Sequence, residues 1–115
     1  MKKIFFLFIM LPMTLNAAHL FENLELAKKC HKLAIFIDEL AAAEQVSFCK
    51  NKVHSASTYT EMAANDLMFD GSNSAKLKLE LAIRDLAYSA VEDCTKATDI
   101  ALTKNELQKI HDIIP

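Results

Sequence analysis

One glycine and two prolines in 115 residues leave this chain almost no means of turning sharply. These two residues are the strongest punctuators of local structure, and beyond residue 17 only Gly71 and Pro115 remain. The rest is rich in alanine, leucine, lysine and glutamate, all good helix formers. Such a chain is expected to fold as a few long helices joined by short links.

Apolar spacing places those helices. Leu26, Cys30, Leu33, Ile37 and Leu40 recur every three or four residues, one face of a helix over about 20–40, with Ile35 and Phe36 widening it. Val46, Cys49, Val53, Ala56 and Ala63 form a second stripe with Tyr59 and Met62 beside it. Between them, residues 38–44 contain no turn former, yet a single helix of almost fifty residues is out of proportion to so small a domain. A turn is therefore expected near 41–46. Met68 to Ser74 is the clearest loop, with Asp70-Gly71 as its turn dipeptide. Ser74 is a candidate N-cap for a third helix over about 75–96, in which Leu79, Ile83, Leu86, Ala90, Val91 and Cys94 face inward. Thr103 and Glu106 have capping-box spacing, Leu102 and Leu107 that of a hydrophobic staple, ahead of a last helix carrying Ile110 and Ile114. The expected fold is all-α, a small four-helix bundle with one disulfide.

The first residues have a different role. Lys2 and Lys3 precede an apolar run from Ile4 to Leu15, and Asn16-Ala17-Ala18 offers small residues for cleavage, the layout of a signal peptide. The run is shorter than the roughly 20 apolar residues of a membrane span. Residues 1–17 are thus expected to be a leader cut after Ala17 or Ala18, leaving 18–115 as one helical domain, periplasmic or secreted, with no stable membrane insertion. Its loss leaves eleven basic residues against fifteen acidic, a net charge of −4. That balance argues against nucleic acid, whose binding rests on phosphate neutralisation by Lys and Arg.

Export gives the three cysteines their meaning, since thiols pair in oxidising compartments. Cys30 and Cys49 both lie on core-facing stripes, so the simplest expectation is a Cys30–Cys49 bridge across a helical hairpin, with Cys94 the alternative partner. No arrangement points to catalysis. Cys30-His31 and Cys49 with His54 lack the spacings that preset zinc sites, as do His19 and His111. Ser47, Ser55 and Ser57 carry no motif, and the adjacent acids Asp38-Glu39 and Glu92-Asp93 diverge on a helix. Phe36, Phe48, Tyr59, Phe69 and Tyr88 at helical spacing read as core and rim, and Gly71 alone cannot make a phosphate loop. The expectation is a non-enzyme without cofactor or metal.

One resemblance adds to this. A leader, the segment Leu24-Glu25-Leu26 ending in Cys30, then Phe48-Cys49, then Cys94 ahead of Thr103-Lys104-Asn105-Glu106-Leu107, with Pro115 last, resembles the small periplasmic immunity proteins that protect bacteria from cell-wall amidase toxins delivered by type VI secretion. Where that family has Gly-Tyr-Ile after the second cysteine, this chain has Lys50-Asn51-Lys52-Val53. The resemblance implies an inhibitor that occludes the cleft of an exported amidase or other hydrolase. Such a protein needs a rigid surface with a few anchors. Met68, Phe69 and Asp70 are the candidate anchors, because two large apolar side chains are unusual in a polar loop. A homodimer, an accessory subunit of an envelope secretion or conjugation assembly, and a carrier of a small apolar ligand stay open as alternatives.

Overall fold

The structure, a computed structural model, describes residues 22–89 and 93–115 with their side chains. The expected leader over residues 1–17, with its cleavage at Ala17 or Ala18, lies outside the residues whose side chains are described, as do Ala90 and Val91 of the expected core. Four helices follow one another: α1 (Lys2–Ala43), α2 (Ser47–Met68), α3 (Ser72–Val91) and α4 (Ala97–Ile113). Each packs on the one before it, and α4 returns against α1. Short links make consecutive helices antiparallel. The result is an all-α four-helix bundle with one disulfide, and no strand occurs among the described residues.

The core follows the expected stripes. From α1 it takes Leu26, Cys30, Ile37 and Leu40, from α2 Cys49, Val53 and Leu67, from α3 Leu79 and Leu86, and from α4 Ile100, Leu107 and Ile110. Small buried residues, Ala56, Ser57, Ala63 and Ala64 on α2 and Ala75 and Ala82 on α3, leave room for the backbones to approach. Ile35 and Phe36 do not widen the α1 core face; both are about half exposed.

The disulfide is not the one expected first. Cys49 bonds Cys94, with the two Cα atoms 5.8 Å apart, and Cys30 is a free, fully buried thiol. The register of the α1–α2 hairpin gives the reason. His31 meets Glu61, Asp38 meets His54, and Ser57 Oγ donates to the Ala34 carbonyl, so facing residues have numbers that add to 91 or 92. Cys49 therefore stands level with about residue 43 of α1, thirteen residues beyond Cys30, a distance of about 20 Å at 1.5 Å per residue. A hairpin that puts both thiols on core faces thereby keeps them apart. Cys94 follows the end of α3, where the chain has returned to the level at which α2 begins.

Two helix starts also differ from expectation. Helix α3 begins at Ser72, so Ser74 lies in its first turn and donates its hydroxyl to Asp66 Oδ2 (2.7 Å) instead of capping. Helix α4 begins at Ala97, two turns before the apparent capping box. Thr103 is a buried mid-helix residue whose hydroxyl donates to the Asp99 carbonyl (2.7 Å), and Leu102, 60 % exposed, makes no staple.

What begins α4 is a carboxylate from another link. Glu44, the first residue after α1, is 2 % exposed. Its carboxylate accepts the backbone N–H groups of Val46 (3.0 Å), Thr95 (3.0 Å) and Lys96 (2.9 Å), and the Thr95 hydroxyl as well. The Thr95 hydroxyl in turn accepts from the Gln45 N–H (3.1 Å). Val46 and Lys96 are the N-cap residues of α2 and α4, and neither has a side-chain cap of its own. One acid thus serves two helix N-termini, where orphan N–H groups and the positive ends of two helix dipoles converge. Burial works against the charge, but the Thr95 hydroxyl and the three N–H donors outweigh it and hold the carboxyl at about 2.

Candidate functional site

The α2–α3 turn is fastened on three sides. Helix α2 ends with the Gly71 N–H on the Asp66 carbonyl (2.7 Å) and the Asp70 N–H on the Leu67 carbonyl (3.4 Å), the two bonds of a Schellman motif. The left-handed position that this motif requires is filled by Asp70, at φ 60°. Asp is one of the few side chains that visit this region. A Cβ on Gly71 would lie 3.1 Å from the Asp66 carbonyl oxygen, so the close return of the chain calls for glycine there. Asn23 of α1, itself buried, donates its amide to Asp70 Oδ1 (3.0 Å). On the other side Asp66 Oδ2 accepts from Ser74 and from Lys78 Nζ (3.4 Å).

Met68 and Phe69 ride on this fastened turn and face solvent. Phe69 is 84 % exposed and Met68 54 %, the former the highest value among the large apolar residues described as exposed. Leu24, also exposed, stands near Met68 in the wall of a groove of about 190 Å³ between α1 and α2. Ala27 and Ala64 line the same groove, with His31 and Glu61 paired at 2.8 Å. The three sequence candidates thus fall into two roles. Phe69 and Met68 are presented outward, whereas Asp70 fastens the turn that presents them.

No known family, curated protein or solved structure matches this chain.

Among the described residues, several groups of the kinds that carry chemistry are engaged within the fold. Burial, reinforced by the charge of Glu61, pushes the Cys30 thiol up to about 12, so it stays protonated and is a poor nucleophile. Glu44, Cys49 and Cys94 bring a carboxylate oxygen and two sulfurs within 4.8 Å of one another, the one cluster of metal-ligand type found among the described residues. Its sulfurs are bonded to each other and its carboxylate already has four donors, so the oxidised cluster offers no thiolate ligand. His54 pairs with Asp38 (3.1 Å), while the Ser57 hydroxyl is spent on the Ala34 carbonyl, so the two are not joined as base and nucleophile. His111 bridges α4 to Glu80 of α3 (3.0 Å). Each histidine with a described side chain therefore links a facing helix through a carboxylate.

Two contributors went unseen in the sequence. Asn23 interrupts an apolar stripe, and a polar residue at a core position is a signal that its partner lies across the fold. Lys52 of α2 reaches over the rings of Phe48 (5.9 Å) and Tyr88 (5.2 Å), with Asp85 Oδ1 3.9 Å away. The i, i+4 spacing of Phe48 and Lys52 hinted at the first contact only.

Proposed function

We propose that this chain is an exported, non-enzymatic binding protein that engages a partner protein through the α2–α3 turn. The reading favoured is that of an immunity or inhibitor protein, which neutralises a cell-wall hydrolase by seating this turn in the enzyme's cleft. The observation that carries the proposal is Phe69, held almost wholly in water on a turn that Asn23, Asp66 and the Schellman bonds fasten in place. A large side chain on a stiff support loses little freedom when it docks, which is how binding hot spots operate. Burying a phenylalanine is favourable by about 1.5–3 kcal/mol. Met68 and Leu24 would supply the apolar surround and the His31–Glu61 pair a polar rim.

The test is recovery of a stable, stoichiometric partner from the native envelope with the oxidised chain as bait, followed by titration of the purified pair. Phe69→Ala should weaken binding about 30-fold, corresponding to about 2 kcal/mol, while leaving the unfolding temperature unchanged. A hydrolase partner whose activity falls as the complex forms would support inhibition. A complex indifferent to Phe69→Ala and Met68→Ala would remove the turn from the interface.

A further inference from the structure

The seam between α1 and α4 carries a different chemistry from the turn. A groove of about 380 Å³ runs along it, with Leu33 and Ile110 as its floor, Ile113 at one edge, and Lys29, Lys32 and Lys109 on its rim. On α1, Lys29, Lys32, Leu33 and Phe36 stand at i, i+3, i+4 and i+7 and so share one face. Glu106, Lys109, Ile110 and Ile113 do the same on α4. Phe36 and Ile113 are both substantially exposed.

The charges here are unbalanced in a protein whose overall charge is −2. Lys28 pairs with Glu25, Lys78 with Asp66, and Lys109 with the rim's own Glu106. Lys29 and Lys32, like Lys50, Lys76, Lys96, Lys104 and Arg84, have no carboxylate at ion-pair distance among the described residues; what sets them apart is their place together beside an apolar floor. Two lysines without partners beside an apolar floor call for an occupant with acids along its edges and an apolar stripe between them. The groove runs between two antiparallel helices, which is the shape that receives a third helix. A bilayer fits less well. Ile110 is buried at the bottom of the groove, where a flat surface does not reach.

We propose that the α1–α4 seam is a second docking surface whose occupant is an acidic amphipathic helix of a partner protein. It lies away from the Phe69 turn and draws on none of its residues, so either surface can fail without the other. Apolar side chains of the incoming helix, spaced i, i+3/i+4 and i+7, rest on Leu33, Ile110 and Ile113, and its flanking acids meet Lys29 and Lys32.

A displayed library tests this. Helices of about 18 residues, long enough for five turns, carry leucine at i, i+3, i+4 and i+7 and randomised Glu, Lys or Ser at the flanks. They are selected on the folded, oxidised chain. Acid-flanked sequences should dominate the binders. Their affinity should fall about tenfold for the Lys29→Glu/Lys32→Glu double variant and again at high salt, while Phe69→Ala leaves it unchanged. Ile113→Glu, at an exposed position, gives an independent variant with the same expected loss. Recovery of lysine-flanked sequences as often as acidic ones overturns the proposal, and so does a library with no binders above an unpatterned control. Binding to phosphatidylglycerol vesicles in place of the helices, or a dimer that Lys29→Glu/Lys32→Glu dissolves, would assign the seam to a membrane or to a second copy and equally overturn it.

Discussion

Replacing Glu44 by glutamine removes one charge while keeping the shape of the side chain, and the structure says what that charge does. Four donors converge on the carboxylate, three of them backbone N–H groups in the two links that begin α2 and α4. They lower the carboxyl from its ordinary 4.5 to about 2. At 1.36 kcal/mol per unit, that depression is a stabilisation of about 3 kcal/mol at neutral pH. Because the folded value is the lower one, this stability is complete above the unfolded value and drains away as pH falls from about 4.5 to about 2. Urea unfolding of Glu44→Gln and the parent, disulfide intact, should differ by about 3 kcal/mol at pH 7 with equal slopes. The gap should shrink below pH 4.5 and close to within about 0.5 kcal/mol near pH 2, where the parent's own acid is half protonated. Other carboxylates titrate alike in both proteins and cancel from the difference. A gap under about 0.5 kcal/mol at pH 7, or one that persists unchanged to pH 2, would refute the assignment of Glu44 as the shared cap.

Three further outcomes follow from the same geometry. Unreduced peptide mapping should find Cys49 joined to Cys94, and Cys94→Ser should cost about 4 kcal/mol for the 45-residue separation; a Cys30–Cys49 peptide would contradict the hairpin register. Cys30 should resist a thiol reagent in the native protein and react stoichiometrically in denaturant, since it is buried and held protonated to about 12; fast native labelling would place it at the surface. Thr103→Val should change stability by no more than about 0.5 kcal/mol, because its hydroxyl only bonds back to Asp99 within α4; a loss of about 1 kcal/mol or more would restore it as an N-cap.

What the sequence revealed and what it hid divide along a physical line. Helix number and core faces depend on periodicity and on the scarcity of glycine and proline, and both are local properties. Leu26, Cys30, Ile37 and Leu40 could be assigned to the interior of α1 from spacing alone, and the break near Glu44 from chain economy. The disulfide could not be chosen, because stripe membership says which way a thiol points and not at what height it stands; the height comes from register, set by pairs such as His31–Glu61. The start of α4 is hidden in the sequence for a related reason. Thr103-x-x-Glu106 satisfies the pattern of a cap, but the helix was already under way at Ala97, started by an acid 51 residues from Thr95. Of the candidate site, Phe69 and Met68 were legible as apolar residues in a polar loop. The clamp that stiffens them was not, since Asn23 lies 47 residues from Asp70.

The pairing of Cys49 with Cys94 sets a problem of timing. If the chain is exported as proposed, N-terminus first into an oxidising space, Cys30 and then Cys49 arrive well before Cys94, and oxidation in order of arrival would join the wrong pair. Once formed, the register of the α1–α2 hairpin prevents this, since it holds Cys30 about 20 Å along the helix from Cys49. Substitutions that loosen α1 against α2, Ala34 to a bulkier residue for instance, should therefore yield misbridged protein even when the finished fold would tolerate them. On that proposal, the order in which helices form becomes as much a condition of the correct covalent structure as the positions of the cysteines.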